Sequence, residues 1–473
     1  MDAGYWRLEY SIVKGVFTIN LELKKLHTVY KGSIAPGISL TCVKTDKFKT
    51  GCLSINLICK LSRDTAAGVA LLPRVLRRGS SEFPDMESIA AALDELYGVR
   101  IEPIVRKKGE LQCIGFYSDF PDDRYIPDGE NVLEKTVSLV CGILLSPDMY
   151  GGFLRSDYIE SEKKNLVDDI RAGINDKRGY SIDRLIGEMC AEEAFGVNKL
   201  GDEDSACAIT PESLTNIYFD VLSNSMIEVL YCGSAEPESL VSMLRRAFRQ
   251  ALVMDPALCP TYRSVLSGLP ERADISIPET QIVVYPDSDS PRRFTEELDV
   301  TQGKLVVGFR LGKAMNNTPD LPALMVFNAA YGSGDTSKLF LNVRERLSLC
   351  YYITSMLEKH KGIMLVASGV EAVNFETALD EIMAQLEQIK NGNVSDQELL
   401  SAKRAVVTAI KSAMDSPAGL IDIYFDSSIS KAGYDPVELC EKVEAITLDR
   451  IVEVASEIRP DSIYLLSGSC IDD

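Results

Sequence analysis

The fold is indicated first by the stretch Gly68–Ser80, which has the sequence GVALLPRVLRRGS. Its apolar residues predict a buried helix, and the Arg-Arg-Gly sequence is typical of a helix end. The alternating segment Leu53–Leu57 precedes it and predicts a strand. A second strand followed by an apolar helix begins at Leu305–Phe309. Strands that alternate with helices in this way indicate an α+β fold.

Two further pairs of segments repeat in the same order and suggest a duplication. Residues 162–170 resemble residues 402–410, and both predict long amphipathic helices. Residues 227–233 resemble residues 463–468, and both predict a short strand that ends at glycine. We therefore predict two homologous domains, residues 1–255 and 294–473. They are joined by a proline-rich linker, residues 256–293, with one strand at Thr280–Tyr285.

Several other helices have clear start and stop signals. Asp85 is a predicted N-cap, and the helix after it stops at Gly98. A second helix extends from Phe375 to Asn391 and is followed by Gly392. Pro237 opens a third. Their apolar stripes are those of core-packing faces.

The composition narrows the class of protein. The 473 residues include 46% hydrophobic and 25% charged residues, as in ordinary globular proteins of more than one domain. A net charge of −20 disfavours binding to nucleic acid. The twelve cysteines form no Cys-x-x-Cys pair, and we find neither a secretion signal nor an apolar stretch long enough to span a bilayer. We expect a cytoplasmic protein without membrane contact.

Four segments together resemble the pitrilysin/insulinase-type zinc peptidases, the inverzincins, and the mitochondrial processing peptidases. They are Gly68–Ser80, the predicted helix Ile159–Asp176, Tyr331–Phe340 (YGSGDTSKLF) and Val343–Tyr352 (VRERLSLCYY). The resemblance covers essentially the whole chain. It implies two α/β sandwich-like domains of the processing-peptidase type, which form half of a clam-shell chamber.

The resemblance also shows what is missing. Active members carry His-x-x-Glu-His, whose histidines hold zinc and whose glutamate activates water, and a third ligand lies on a later helix. The matching stretch here is Leu71-Leu72-Pro73-Arg74, within about one residue, and Asp169 is nearest to the third ligand. None of the four can bind zinc, and we expect Pro73 to kink the helix. We therefore expect no metal and no cofactor.

The chain contains two histidines, His27 and His360, and neither lies in a zinc-binding sequence. A different metal site that uses both histidines and a carboxylate is the less favoured alternative. The sequence contains neither a Gly-x-Ser-x-Gly elbow nor a phosphate-binding Walker loop. An unrecognised enzyme with cysteine or carboxylate chemistry would need a perturbed titratable cluster, for which the sequence offers no candidate.

The resemblance implies that Arg344 and Tyr351 are retained from an Arg/Tyr pair that clamps substrate beside the metal. Arginine offers a rigid fork of donors, and a tyrosine hydroxyl can donate to a developing oxyanion. On the residues alone, Arg344 can equally pair with Glu345, and Tyr351 can pack in the core. Gly332 and Gly334 resemble a substrate-handling loop, and the alternative is an ordinary turn in which glycine supplies a positive φ.

These expectations combine into one functional hypothesis. The chain is predicted to be the non-catalytic subunit of a heterodimeric zinc peptidase, and a zinc-bearing paralogue supplies the metal for a peptide substrate in the shared chamber. The resemblance extends to paired paralogues of Gram-positive bacteria, some labelled as associated with modification of elongation factor P. The alternative is a scaffold or binding protein without a catalytic role, as in silent subunits of respiratory complexes. In isolation the chain is also compatible with a homodimer.

Overall fold

A computed structural model of the chain describes residues 12–13, 16–17, 27–253, 275–283, 285–286, 288, 290–312, 319–430 and 434–468. The predicted domain limit at residue 255 and linker residues 256–274 lie outside these ranges. All statements about structure below concern the described residues.

The first half contributes ten strands and eight helices to the described chain. The strands are β1 (Ile12–Val13), β2 (Val16–Phe17), β3 (Thr28–Ala35), β4 (Ile38–Lys44), β5 (Thr50–Lys60), β6 (Arg100–Lys108), β7 (Leu111–Pro121), β8 (Met149–Tyr150), β9 (Phe153–Leu154) and β10 (Met226–Gly233). The helices are α1 (Ala66–Leu76), α2 (Met86–Glu95), α3 (Val132–Leu145), α4 (Ser156–Ala172), α5 (Lys177–Met189), α6 (Glu203–Cys207), α7 (Pro211–Asn224) and α8 (Pro237–Val253).

The second half has five described strands and six described α-helices. The strands are β11 (Arg292–Leu298), β12 (Gly303–Arg310), β13 (Cys350–Glu358), β14 (Ile363–Val370) and β15 (Arg459–Gly468). The helices are α9 (Leu321–Tyr331), α10 (Phe375–Lys390), α11 (Asp396–Ala413), α12 (Pro417–Ser430), α13 (Pro436–Glu444) and α14 (Leu448–Ser456). A π-helical segment, Phe340–Arg346, precedes β13.

The two large sheets have the same topology, as the duplication predicts. The first has the strand order β3-β4-β10-β5-β7-β6 and the second β11-β15-β12-β14-β13. Without β3, each sheet contains one parallel pair, β4 with β10 and β11 with β15, and otherwise antiparallel pairs. By position in chain and sheet, α1 corresponds to α9, α4 to α11, and α5 to α12.

Each half lends a helix to the other half's sheet. Helix α5 packs on β12 and β15, where Leu185 and Met189 join a core cluster with Val306 and Tyr464. Helix α12 packs on β10, β5 and β4 of the first sheet. These exchanged helices bury an apolar face of each sheet between the halves, so two of the three hydrophobic core clusters contain residues from both halves.

The contact of α12 with the first sheet also buries a carboxyl group. Glu228 on β10 is 4% exposed and accepts hydrogen bonds from Thr41 Oγ1 (2.9 Å) and Ser428 Oγ (3.2 Å), and also from Ser39. Burial raises its pKa, and these hydroxyl contacts offset only part of that effect. Burial at the α12 contact therefore disfavours the ionised form of Glu228.

A buried charge network joins the halves where the β6–β7 and β13–β14 turns meet. The side chain of Lys361 is fully buried, and its Nζ lies 2.6 Å from Glu110 Oε1 and 2.6 Å from Glu193 Oε2. Arg310 also pairs with Glu193 (2.6 Å) and with Asp461 (2.8 Å). Burial alone would raise the pKa of Glu193, but hydrogen bonds from Arg310 and Lys361 hold it below its usual value.

The same contact needs a glycine at position 109. Gly109 has φ +58°, and a Cβ there would lie 2.8 Å from the backbone oxygen of His360. A side chain would therefore be strained in its backbone and would collide with the opposite turn.

Helix α1 continues through Pro73, the position of the predicted kink, and Arg77 N donates to Pro73 O at 3.1 Å. One local prediction is wrong. No strand forms among the described residues of Thr280–Tyr285. Gln281 N instead donates to Glu110 Oε2 at 3.0 Å, so this segment joins the buried charge network.

Two observations concern membrane contact and cysteine chemistry. No helix in the described ranges combines the length and apolar character needed to cross a bilayer. The ten cysteines that the structure describes are free thiols, and Cys207 is the exposed one among them.

Candidate functional site

The residues predicted to form a degenerate zinc motif lie on α1, and Asp169 lies on α4. Arg74 Nη1 is 2.7 Å from Asp169 Oδ2, and one turn later Arg78 Nη1 is 3.2 Å from Glu162 Oε1. Leu71 and Leu72 point into the core instead, at 0% and 1% exposure. The chain thus brings Arg74 and Asp169 together, and an arginine–carboxylate pair joins the two helices there.

This contact favours the alignment in which Arg74 is the last position of the motif. Because Arg74 faces Asp169, the residue one helical turn earlier on that face of α1 is Ala70. The pair Ala70 and Arg74 thus stands at the i, i+4 spacing that two zinc histidines require. Asp169 is the one side chain of the three able to bind a cation, and the Arg74 guanidinium engages it. These residues do not fit a zinc ion.

The two histidines lie in separate places and have separate partners. His27 Nε2 is 2.9 Å from Tyr424 Oη, and His360 Nε2 is 3.3 Å from Asp426 Oδ1. Burial lowers the pKa of His360, which its contact with Asp426 opposes in part. Within the described ranges, no group of three histidine, cysteine or carboxylate side chains has the arrangement of a metal site.

The predicted pair Arg344 and Tyr351 lies at one open cavity in the second half. The cavity has a volume of about 400 Å³ and is lined by Arg344, Glu345, Ser348, Leu349, Cys350, Tyr351, Glu371 and Asn374. The π-helical segment positions Arg344, and the first residues of β13 position Tyr351. π-Helical turns are rare and are found mostly at functional sites.

Arg344 is held loosely and presents most of its donors to the cavity. Its guanidinium carbon lies 4.6 Å from the centre of the Phe340 ring, and its Nε is 3.7 Å from Glu345 Oε1. The side chain is 40% exposed, and it donates no hydrogen bond to another described residue. The alternative interpretation, an ion pair with Glu345, is therefore present. However, the distance from Nε to Oε1 is too long for a hydrogen bond, so the N–H donors of Arg344 stay available.

Tyr351 points outwards from an irregular strand start. The β13–β14 register shifts between Cys350 and Tyr352, which places Tyr351 in a bulge, and its side chain is 69% exposed. Bulges redirect side chains in this way. Ser348, three residues earlier, has φ +51°, which marks a sharp turn into the strand. The alternative that Tyr351 packs in the core is wrong.

The same cavity contains no activated nucleophile. Cys350 is buried against it, and burial raises the pKa of its thiol, while Ser368 and Arg344 lower it by less. The thiol therefore stays protonated near neutral pH. The cavity offers the Arg344 guanidinium and the Tyr351 hydroxyl as hydrogen-bond donors.

The glycine turn is packed on one side and open on the other. Gly332 has φ −156°, so the prediction of a positive φ is wrong there, and Gly334 is also absent from the positive-φ positions. A Cβ on Gly332 would lie 2.7 Å from Leu339 Cδ1 and from Ser355 Oγ, whereas none of the described atoms lies within 4 Å of a Cβ on Gly334. Gly332 is needed for close packing. Neither glycine lines the cavity.

Sequence reasoning missed the far wall of the cavity. Glu371 and Asn374 lie after β14, some twenty residues beyond Tyr351, and reach the cavity because β13 and β14 form a hairpin. No local sequence pattern marks them. The one signal that could have placed Glu371 and Asn374 near Tyr351 is the turn at Lys359–Gly362, which indicates that β13 and β14 form a hairpin.

Comparison with known proteins agrees with this geometry. A family model described as "Peptidase M16 inactive domain" matches residues 208–406. The "Probable inactive metalloprotease YmfF" of Bacillus subtilis (strain 168) is 31% identical over 434 residues, which cover 92% of this chain and 96% of that protein. A conserved protein from Enterococcus faecalis V583 has a TM-score of 0.80 at 23% identity and covers 94% of this chain and 100% of that chain.

A further solved structure, the peptidase M16 inactive domain from Pseudomonas fluorescens, has a TM-score of 0.72 at 16% identity, over 94% of this chain and 100% of that chain. The predicted α+β architecture and the predicted family are thereby confirmed. The chain belongs to the peptidase M16 family, and its relative in Bacillus subtilis is named as a probable inactive metalloprotease.

Proposed function

We propose that this chain is the non-catalytic subunit of a heterodimeric zinc peptidase. A zinc-bearing paralogue supplies the metal, the water and the general base. This chain supplies one wall of the chamber and the Arg344/Tyr351 pair, which grips the peptide backbone near the partner's metal. Inactive M16 domains often pair with active M16 subunits.

The observation that carries the proposal is the shared cavity of Arg344 and Tyr351. Both side chains are more exposed than a packing role requires, and neither makes a hydrogen bond to another described residue. Groups whose donors are free can bind a carbonyl oxygen without first breaking internal contacts. Arg74 and Asp169, by contrast, already satisfy each other.

The scaffold alternative predicts a different surface. A subunit kept for assembly alone gains nothing from an unpaired arginine beside an exposed tyrosine. Three further exposed apolar side chains, Leu341, Leu347 and Val373, lie in the segments that carry this cavity. Exposed apolar side chains close in sequence to free polar donors are typical of a surface that another molecule covers.

The test is reconstitution with a paralogue that carries His-x-x-Glu-His. We expect no peptidase activity from this chain alone, and activation of the paralogue when the two are mixed. Tyr351→Phe should lower the activity of the mixture and leave assembly unchanged, whereas the exposed control Tyr150→Phe should change neither. Full activity of the zinc subunit by itself, or an unaltered rate with Tyr351→Phe, contradicts the shared site and favours the scaffold.

A further inference from the structure

A second cavity lies in the second half, apart from the Arg344/Tyr351 site. It has a volume of about 360 Å³ and is enclosed by α9, α11, α12 and α13. Its wall is mostly apolar and includes Met325, Ile410, Ile423 and Leu439. This volume lies within the range of small-molecule sites, about 300–1,000 Å³, and such sites are usually apolar with a few fixed polar groups.

The duplication explains why space is left here. Residues 402–410 correspond to residues 162–170, so Ala409 stands where Asp169 stands in the first half. Met325 is the fifth residue of α9, as Ala70 is the fifth residue of α1. The first half closes this position with the Arg74–Asp169 ion pair. In the second half the counterparts are apolar, and Met325 and Ala409 line an open cavity instead.

One end of the cavity is polar, and its charges favour one kind of head group. The acidic side chains there are already paired: Asp422 with Arg106 (2.5 Å), and Asp426 with Lys108 (2.7 Å) and Lys359 (2.5 Å). Lys359 uses one of its three ammonium protons on Asp426, and its side chain is 38% exposed. A cationic head group would find no free carboxylate, whereas an anionic one finds spare donors.

We propose that this cavity binds an amphiphile with a carboxylate head and an unbranched apolar tail, such as a fatty acid of medium length. The tail lies among the apolar side chains of α9, α11 and α13. The carboxylate accepts a hydrogen bond from Lys359 Nζ. The proposal is independent of the proposed peptidase function.

The test is isothermal titration of the full chain with decanoate, decanol and decyltrimethylammonium. Ala409→Phe fills the cavity from an exposed helix position and should weaken decanoate binding at least tenfold. Ala405→Phe, one turn away on the same exposed face and outside the cavity, should leave it unchanged. Lys359→Met should remove the preference for decanoate over decanol, whereas the exposed control Lys164→Met should not.

Three outcomes overturn the proposal. The first is the absence of decanoate binding below its micelle concentration. The second is equal weakening by Ala405→Phe and Ala409→Phe, because the ligand would then bind elsewhere. The third is binding of decyltrimethylammonium or decanol as tight as that of decanoate, which would rule out the carboxylate class. Normal thermal unfolding of Ala409→Phe shows that the variant is folded in each case.

Discussion

Lys361→Met tests how far the buried charge network holds the two halves together. The ammonium of Lys361 makes contacts of 2.6 Å with Glu110, 2.6 Å with Glu193 and 2.5 Å with Gln281 O, in a fully buried position. Removing one member of a buried ion pair costs about 3–5 kcal/mol, because the remaining charge has no water to replace its partner. Glu193 keeps Arg310, but Glu110 loses its one cation. We therefore expect a loss of about 3–5 kcal/mol in the free energy of unfolding.

The assay is equilibrium unfolding in urea, followed by circular dichroism. Lys135→Met, which removes an exposed lysine paired at 3.5 Å with Glu130, should change stability by less than about 0.5 kcal/mol. Adding Glu110→Gln to Lys361→Met should recover part of the loss, because it removes the unpaired carboxylate. A loss below about 1 kcal/mol for Lys361→Met, or full additivity of the two changes, would refute the reasoning.

Three further predictions follow from local geometry. Gly109→Ala should lower the free energy of unfolding in urea by clearly more than Gly98→Ala. Both glycines have positive φ, but a Cβ at position 109 would lie 2.8 Å from His360 O, whereas a Cβ at position 98 meets no described atom within 4 Å. Gly98→Ala should therefore cost only about 1–2 kcal/mol, and equal losses for the two variants would contradict the close contact of the two turns. Because burial raises the pKa of Glu228, its contribution to stability is present at low pH and is lost as pH rises through the folded pKa. As pH rises from 4 to 7, the free energy of unfolding of Glu228→Gln should therefore increase relative to that of the parent chain. A difference in urea midpoint that stays constant over this range would show that the pKa of Glu228 is not raised. Arg74→Gln should lower the free energy of unfolding by about 1 kcal/mol or less, because the side chain of its partner Asp169 is 54% exposed and water screens the pair. A loss in the urea assay as large as that of Lys361→Met would contradict this screening.

Local signals predicted the elements of the fold well. Asp85 forms the capping box that its N-cap assignment implies, since it accepts from Ser88 N at 2.8 Å, and Gly98 has the positive φ of a helix end. The repeated segments form equivalent strands in the two sheets and equivalent helices in the two halves. These successes share one cause, because each depends on residues within a few positions of each other.

The exchange of helices and the buried charges were not predictable in this way. Helix α5 has an ordinary amphipathic pattern, and nothing in that pattern says that its apolar face covers the other half's sheet. Glu110, Glu193 and Lys361 are charged residues that a sequence places on the surface. Their burial depends on contacts between residues 168 and 251 positions apart in the chain, which only the assembled fold brings together.

The candidate site shows the same division. The sequence lacks His-x-x-Glu-His, but it did not predict the contact between Arg74 and Asp169. The resemblance pointed to Arg344 and Tyr351, and the structure adds the π-helical turn, the bulge at Tyr351 and the wall formed by Glu371 and Asn374.

The central claim is tested most directly by the kcat/KM of the reconstituted heterodimer with Arg344→Ala, compared with Arg346→Ala. Both arginines lie in the same π-helical segment, but Arg346 points away to Glu381 (3.0 Å) and does not line the cavity. With zinc content and assembly unchanged, we expect Arg344→Ala to lower kcat/KM at least tenfold, about 1.4 kcal/mol of transition-state stabilisation, and Arg346→Ala to leave it within twofold. Equal values for the two variants would contradict the claim that this inactive chain completes its partner's active site.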